Sequence, residues 1–158
     1  MKKVIIILIS IFFASCSSLQ EGDGKISRYF TAREALSSST AKKYKIKNVA
    51  KGGDRENIYY AARRMDQVRK VLKEPIYVTS WYRCKKVNKK VGGSKTSGHL
   101  DGLAVDFRVK SNPKYVYSKL KRGKVSYDQL IYYPYQRRLH IGFKKNWRLE
   151  RNQYMIFK

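Results

Sequence analysis

The sequence predicts a single α+β domain in which helices pack on a small, largely antiparallel sheet. Three observations carry this expectation. Apolar residues at helical spacing fill one long stretch, Ile58, Ala61, Ala62, Met65, Val68 and Leu72. Short runs rich in β-branched and aromatic residues recur between turn residues, as in Ile76-Tyr77-Val78-Thr79-Ser80. Strand-like and helix-like segments alternate without the glycine-rich nucleotide motif of a parallel sheet. A chain of 158 residues suits one compact domain. Its 13 tyrosines and 2 tryptophans supply bulk for a core although the net charge is +25, so the composition is not that of an unfolded polar chain.

Taken in order, the chain opens with Lys2 and Lys3 before an unbroken apolar run, Val4 to Ala14, too short to span a bilayer as a permanent helix. Residues 1–15 are expected to be a signal peptide. Phe13-Ala14-Ser15-Cys16 resembles the bacterial lipoprotein signal, which would make Cys16 a lipidated N-terminus and the protein exported. An ordinary secretory signal or an uncleaved anchor fits the same run. Residues 16–28, small and polar with two glycines, read as a flexible tether, and residues 29–158 as the folded domain.

Within the domain, Thr31 is placed to cap a short helix through about Ser37, and Asp54 to cap the long one that Pro75 ends. A strand over 76–80 and a turn at Trp81-Tyr82-Arg83 precede a helix from about Lys85 to Val91, closed by Gly92-Gly93. Leu103 to Val109, Gln129 to Tyr133 and Arg138 to Phe143 read as strands, with a helix near Lys114 to Lys121. The aromatic and cationic end, Asn146 to Lys158, reads as an added strand.

The excess of cations calls for an anionic surrounding: nucleic acid, lipid headgroups or the acidic polymers of a cell envelope. Export and the lack of a recognition-helix or stacking motif argue against nucleic acid. Once Cys16 is assigned to processing only Cys84 remains, so no internal disulfide can form, and Cys84 reads as an inert, partly buried thiol.

The chemistry is concentrated between Ser94 and Asp106. His99 and Asp106 are seven residues apart, with Gly102 between them permitting a tight turn, so a loop residue and a strand residue can converge. His140 is the only other histidine. Two imidazoles and a carboxylate form a zinc ligand set that leaves one position open for water. Two structural histidines are the plain alternative.

These residues resemble a known family, the zinc D-Ala-D-Ala carboxypeptidases with the peptidoglycan L,D-endopeptidases. Its pattern S-x-H-x-x-G-x-A-x-D is met by Ser97, His99, Gly102, Ala104 and Asp106, and its later H-[IV] strand by His140-Ile141. Pro75 to Arg83, Val87-Asn88, Val91-Gly92-Gly93-Ser94 and Tyr127-Asp128-Gln129-Leu130-Ile131 are similar to family segments as well. The resemblance implies a Hedgehog/DD-peptidase-like fold. It also implies a zinc ion held by His99, Asp106 and His140, and Arg83 as the cation that binds substrate or stabilises the oxyanion. Ser97 would shape the loop.

One departure stands out. The family usually places a glutamate shortly before the final histidine as general base, whereas residues 131–139 contain no carboxylate. Tyr133 stands about where that glutamate would be, while Asp128 and Asp101 are the nearest acids that could be re-aimed. Two functions are therefore expected in competition. One is a monomeric, lipid-anchored zinc peptidase cutting an amide bond in peptidoglycan stems. The other is a weak or inactive wall-binding module on the same fold.

Overall fold

The computed structural model describes residues 18–157. The expected signal peptide and Cys16 lie outside the described residues. Five strands form one sheet in the order β1-β2-β4-β3-β5: β1 Tyr77–Ser80, β2 Ala104–Arg108, β3 Gln129–Tyr133, β4 Arg138–Gly142 and β5 Gln153–Ile156. All neighbouring pairs are antiparallel except β3 and β5, which run parallel. The expected strands are present to within a residue or two at their ends, and the C-terminal segment does add a strand.

Strand alternation divides labour between the two faces of this sheet. Val105, Phe107, Leu130, Leu139 and Ile141 are fully buried on one face, with α3, Gly53–Leu72, in the same hydrophobic core. Every apolar residue of the predicted helical stripe is buried on α3. Asp106, His140, Arg138 and Tyr133 occupy the alternate positions, on the face that carries the site.

Local chemistry sets the helix ends. Thr31 caps α1, Ala32–Leu36, in a reciprocal capping box with Glu34. The start of α3 differs from expectation. Gly52, at φ 49°, makes the entry bend, a conformation glycine adopts without steric cost, and Asp54 lies inside the first turn. The Asp54 carboxylate accepts from the Tyr82 hydroxyl at 3.1 Å instead of capping the helix. A short helix not read from sequence, α2 (Ser39–Lys43), is capped by Ser38. It packs near α4, Lys85–Lys90. Before α5, Val116–Arg122, the chain makes a 3₁₀ turn at Pro113–Tyr115.

The expected tether is also different. Leu19 is fully buried and pairs with Ala50, its N–H donating to the Ala50 carbonyl at 2.9 Å. Ile26 is buried, and the Asp66 carboxylate on α3 accepts from Ser27 Oγ and from the N–H groups of Arg28 and Tyr29. Two apolar side chains among small polar neighbours are enough to dock the segment, a signal that average composition conceals.

Residues 143–157 are fastened by a buried ion pair. Arg64 on α3 binds both carboxylate oxygens of Glu150, at 3.1 and 3.0 Å, and also the Ser126 carbonyl and hydroxyl. The Glu150 carboxylate takes the Lys144 N–H as well, so both partners are well satisfied despite burial.

Candidate metal centre and its cleft

Register builds the centre. Asp106 on β2 lies opposite Ser80 on β1 and opposite His140 on β4, so three neighbouring strands place these side chains in one row. His99 arrives from the loop before β2. Gly102, at φ +76°, turns that loop, and a β-carbon there would meet Ile58 Cγ1 at 2.6 Å and strain the backbone as well. The indole N–H of Trp81 donates to the Gly102 carbonyl at 2.8 Å, and the His99 carbonyl accepts from the Arg83 N–H at 2.9 Å. Ser97 Oγ lies 3.4 Å from the His99 N–H and shapes the same loop.

One candidate ligand atom from each of His99, Asp106 and His140 lies within 4.8 Å of the other two. His140 Nδ1 is 2.8 Å from Asp106 Oδ1 and His99 Nε2 is 3.4 Å from it. His99 Nδ1 lies 2.7 Å from the Trp81 carbonyl. A carbonyl can only accept, so Nδ1 carries the proton and the Nε2 lone pair faces Asp106. This is how proteins commonly orient a metal-ligating imidazole. Two imidazole nitrogens and a carboxylate oxygen, clustered and mostly buried, suit a zinc-type ion.

Electrostatics tighten the cluster. Burial works against ionising Asp106, but the hydrogen bond with His140 and the close approach of His99 outweigh it and hold the carboxyl far below the usual carboxylate range. Burial also lowers the His99 pKa, favouring the neutral imidazole that a metal requires, with Asp106 opposing.

Two guanidinium groups share the same carboxylate. Arg83 donates Nη2 to Asp106 Oδ2 at 2.7 Å and Nε to Ser80 Oγ at 2.9 Å. Arg138 Nη1 lies 2.8 Å from Asp106 Oδ1, and its guanidinium stacks 4.1 Å from the centre of the Tyr133 ring. Burial lowers the Arg83 pKa, Asp106 opposes that, and Arg138 adds to it. Together these groups line an open cleft of about 420 Å³, walled on one side by Gly92, Gly93 and Ser94. Asn88 holds that wall by donating to the Gly93 and Ser94 carbonyls.

A family model described as Peptidase M15 matches residues 28–142. The chain belongs to the peptidase M15 family. No match was found among curated proteins. The M15 match ends at the last residue of β4, so it includes His99, Asp106 and His140 and stops before Glu150 and β5.

The M15 cleft gathers five of the six residues singled out for catalysis or metal binding: His99, Asp106, His140, Arg83 and Tyr133. Asp128 is not among them. It lies just before β3, at the opposite end of that strand from Tyr133, and its carboxylate is bound by Arg151, at 2.6 and 2.9 Å, and by Lys144 at 3.2 Å. The Arg151 hydrogen bond, against a smaller effect of burial, lowers its pKa. Asp101 is exposed and outside the cleft lining. Among the described residues Asp106 is therefore the only carboxylate that lines the cleft. Arg138 was missed in the sequence. Its position two residues before His140 on one strand was a usable signal, since period-two alternation puts both on one face.

Proposed function

We propose that this M15 peptidase is a zinc enzyme that hydrolyses an amide bond in the peptide stems of peptidoglycan, exported and held at the cell envelope through Cys16. The observation that carries the reading is the convergence of His99, Asp106 and His140 beside Arg83, with His99 oriented by the Trp81 carbonyl. Two structural histidines would not need a buried carboxylate and two arginines between them. When bound, zinc supplies hydroxide near neutral pH and polarises the scissile carbonyl.

The chain's own residues do the rest. Trp81 and Asp106 fix the two imidazoles in their ligating orientations. Arg83 is anchored through Nε and Nη2, which leaves its Nη1 to donate to an oxygen that gains negative charge in the transition state. Arg138 and Arg83 make the cleft cationic, which suits a substrate bearing carboxylates, as peptidoglycan stems do. Tyr133 offers a phenol where a carboxylate base is usual, so turnover is expected to be slow.

The test is mass spectrometry of fragments released from purified peptidoglycan by the zinc-loaded protein, against a chelated control. A zinc-dependent fragment with a new amine and a new carboxylate supports the peptidase and identifies its bond. The second reading, a peptidoglycan-binding module without turnover, is favoured by the lack of a second carboxylate in the cleft lining. Intact wall that retains zinc-loaded protein is its signature.

A further inference from the structure

We propose that the lysine-rich face formed around Tyr44 and along α4 docks onto the anionic headgroups of the bilayer that holds the N-terminal segment. The proposal rests on that segment being held in a membrane, not on the peptidase reading.

The first observation is where the folded chain begins. Leu19 is buried and pinned to Ala50, so only Ser17 and Ser18 separate Cys16 from a fixed point on the domain. Three residues reach at most about 11 Å when fully extended. An anchor at Cys16 therefore holds the domain close to the bilayer instead of on a long leash, with the surface around Ala50 within reach of the headgroups. Lys47 and Lys51 flank Ala50 within three residues and are exposed.

The second observation is charge. Four lysines fall between positions 42 and 47 and four between 85 and 90, all exposed, on two segments that meet where α2 packs near α4. Neither 35–53 nor 75–100, the stretches that contain them, has a single Asp or Glu. Among the described residues, the lysines that form ion pairs are Lys119 and Lys144, both elsewhere. Tyr44 sits between the two groups, 46% exposed, with the ammonium groups of Lys43 and Lys90 at 5.5 and 4.6 Å from its ring centre. An exposed amphipathic ring surrounded by unpaired cations fits the headgroup layer of an anionic leaflet.

A second basic cleft provides the contrast. Lys70, Lys73, Lys119 and Lys124 line a cavity of about 870 Å³ where the C-terminal ends of α3 and α5 meet. There the helix dipoles favour cations and Glu74 pairs with Lys119 at 3.7 Å, so local structure already accounts for the charges. That cleft is at the opposite end of the 20-residue α3 from Gly52 and Ala50.

The test is lysine acylation footprinting, read by mass spectrometry, of the full chain reconstituted in phosphatidylcholine vesicles and in vesicles containing phosphatidylglycerol as well. Expected is about fivefold slower acylation at 42–47 and 85–90 in the anionic vesicles alone. Lys70, Lys73 and Lys124 should stay reactive, and high salt should reverse the protection. A triple variant, Lys45→Gln, Lys86→Gln and Lys89→Gln, all at exposed positions, should restore acylation of Lys43 and Lys90. Equal protection in both kinds of vesicle overturns the proposal, as does uniform protection of both basic regions or none at all. A chain that floats with neither vesicle overturns the anchor with it. Because acylation reads no hydrolysis, the peptidase reading stands or falls separately.

Discussion

His99 Nδ1 lies 2.7 Å from the carbonyl oxygen of Trp81, and this contact commits the other ring nitrogen to Asp106 and His140. The candidate metal centre is thus oriented by backbone from the turn that also delivers Arg83. His99→Ala or His140→Ala should reduce bound zinc from one equivalent to none while the fold persists. Metal analysis by mass spectrometry together with circular dichroism checks this, and full occupancy in either variant would refute the ligand set.

Tyr133 occupies the cleft where a carboxylate base is missing, against the Arg138 guanidinium at 4.1 Å. Tyr133→Glu should therefore raise the rate of zinc-dependent hydrolysis, by about a hundredfold or more if proton transfer limits turnover. The new carboxylate also gains a charged partner already in place. A steady-state assay on a stem peptide reads the change, and an unchanged or lower kcat would show that the base is supplied elsewhere.

Asp128→Asn separates a structural acid from a catalytic one. The Asp128 carboxyl is held below its ordinary value by Arg151, so its contribution to stability is fully present above about pH 4 and is lost as pH falls through the lowered folded value. The variant should be less stable than the parent at neutral pH and converge with it in acid, with zinc content and kcat unchanged. Thermal unfolding across pH measures the first part. A large fall in kcat would return Asp128 to the reaction.

How much of this was legible before the structure depends on the kind of signal each residue carries. The stripe on α3 and the strands containing Asp106 and His140 follow from local periodicity, which chain neighbours alone define. The candidate ligand cluster was readable because it uses every histidine in the chain. Arg138 was obscured by its surroundings, one cation among 36, although strand alternation places it beside His140. Asp128 was open to a catalytic reading because its place in the chain does not reveal that Arg151 and Lys144, from the segment after β4, bind its carboxylate outside the cleft. Docking of Leu19 depends on Ala50, 31 residues away, and docking of the segment after Ile26 on Asp66, 37 to 39 residues from Ser27, Arg28 and Tyr29, so it left no periodic trace.

Glu150→Ala should cost about 3–5 kcal/mol, because it leaves the Arg64 guanidinium buried without its carboxylate. Urea unfolding gives the value, and a loss below about 1 kcal/mol would mean that Arg64 finds another partner or reaches water. Replacing the pair by Arg64→Met with Glu150→Leu should recover much of the loss, since an apolar pair leaves no stranded charge.

That ion pair also sets an order of events. Arg64 and Glu150 are 86 residues apart, so during synthesis the long helix is complete long before its counter-ion exists. Until residues 143–157 arrive, the sheet lacks its fifth strand and the helix carries a charge that resists burial. Residues 143–157 therefore close the domain, and a chain that has not yet delivered them cannot finish folding.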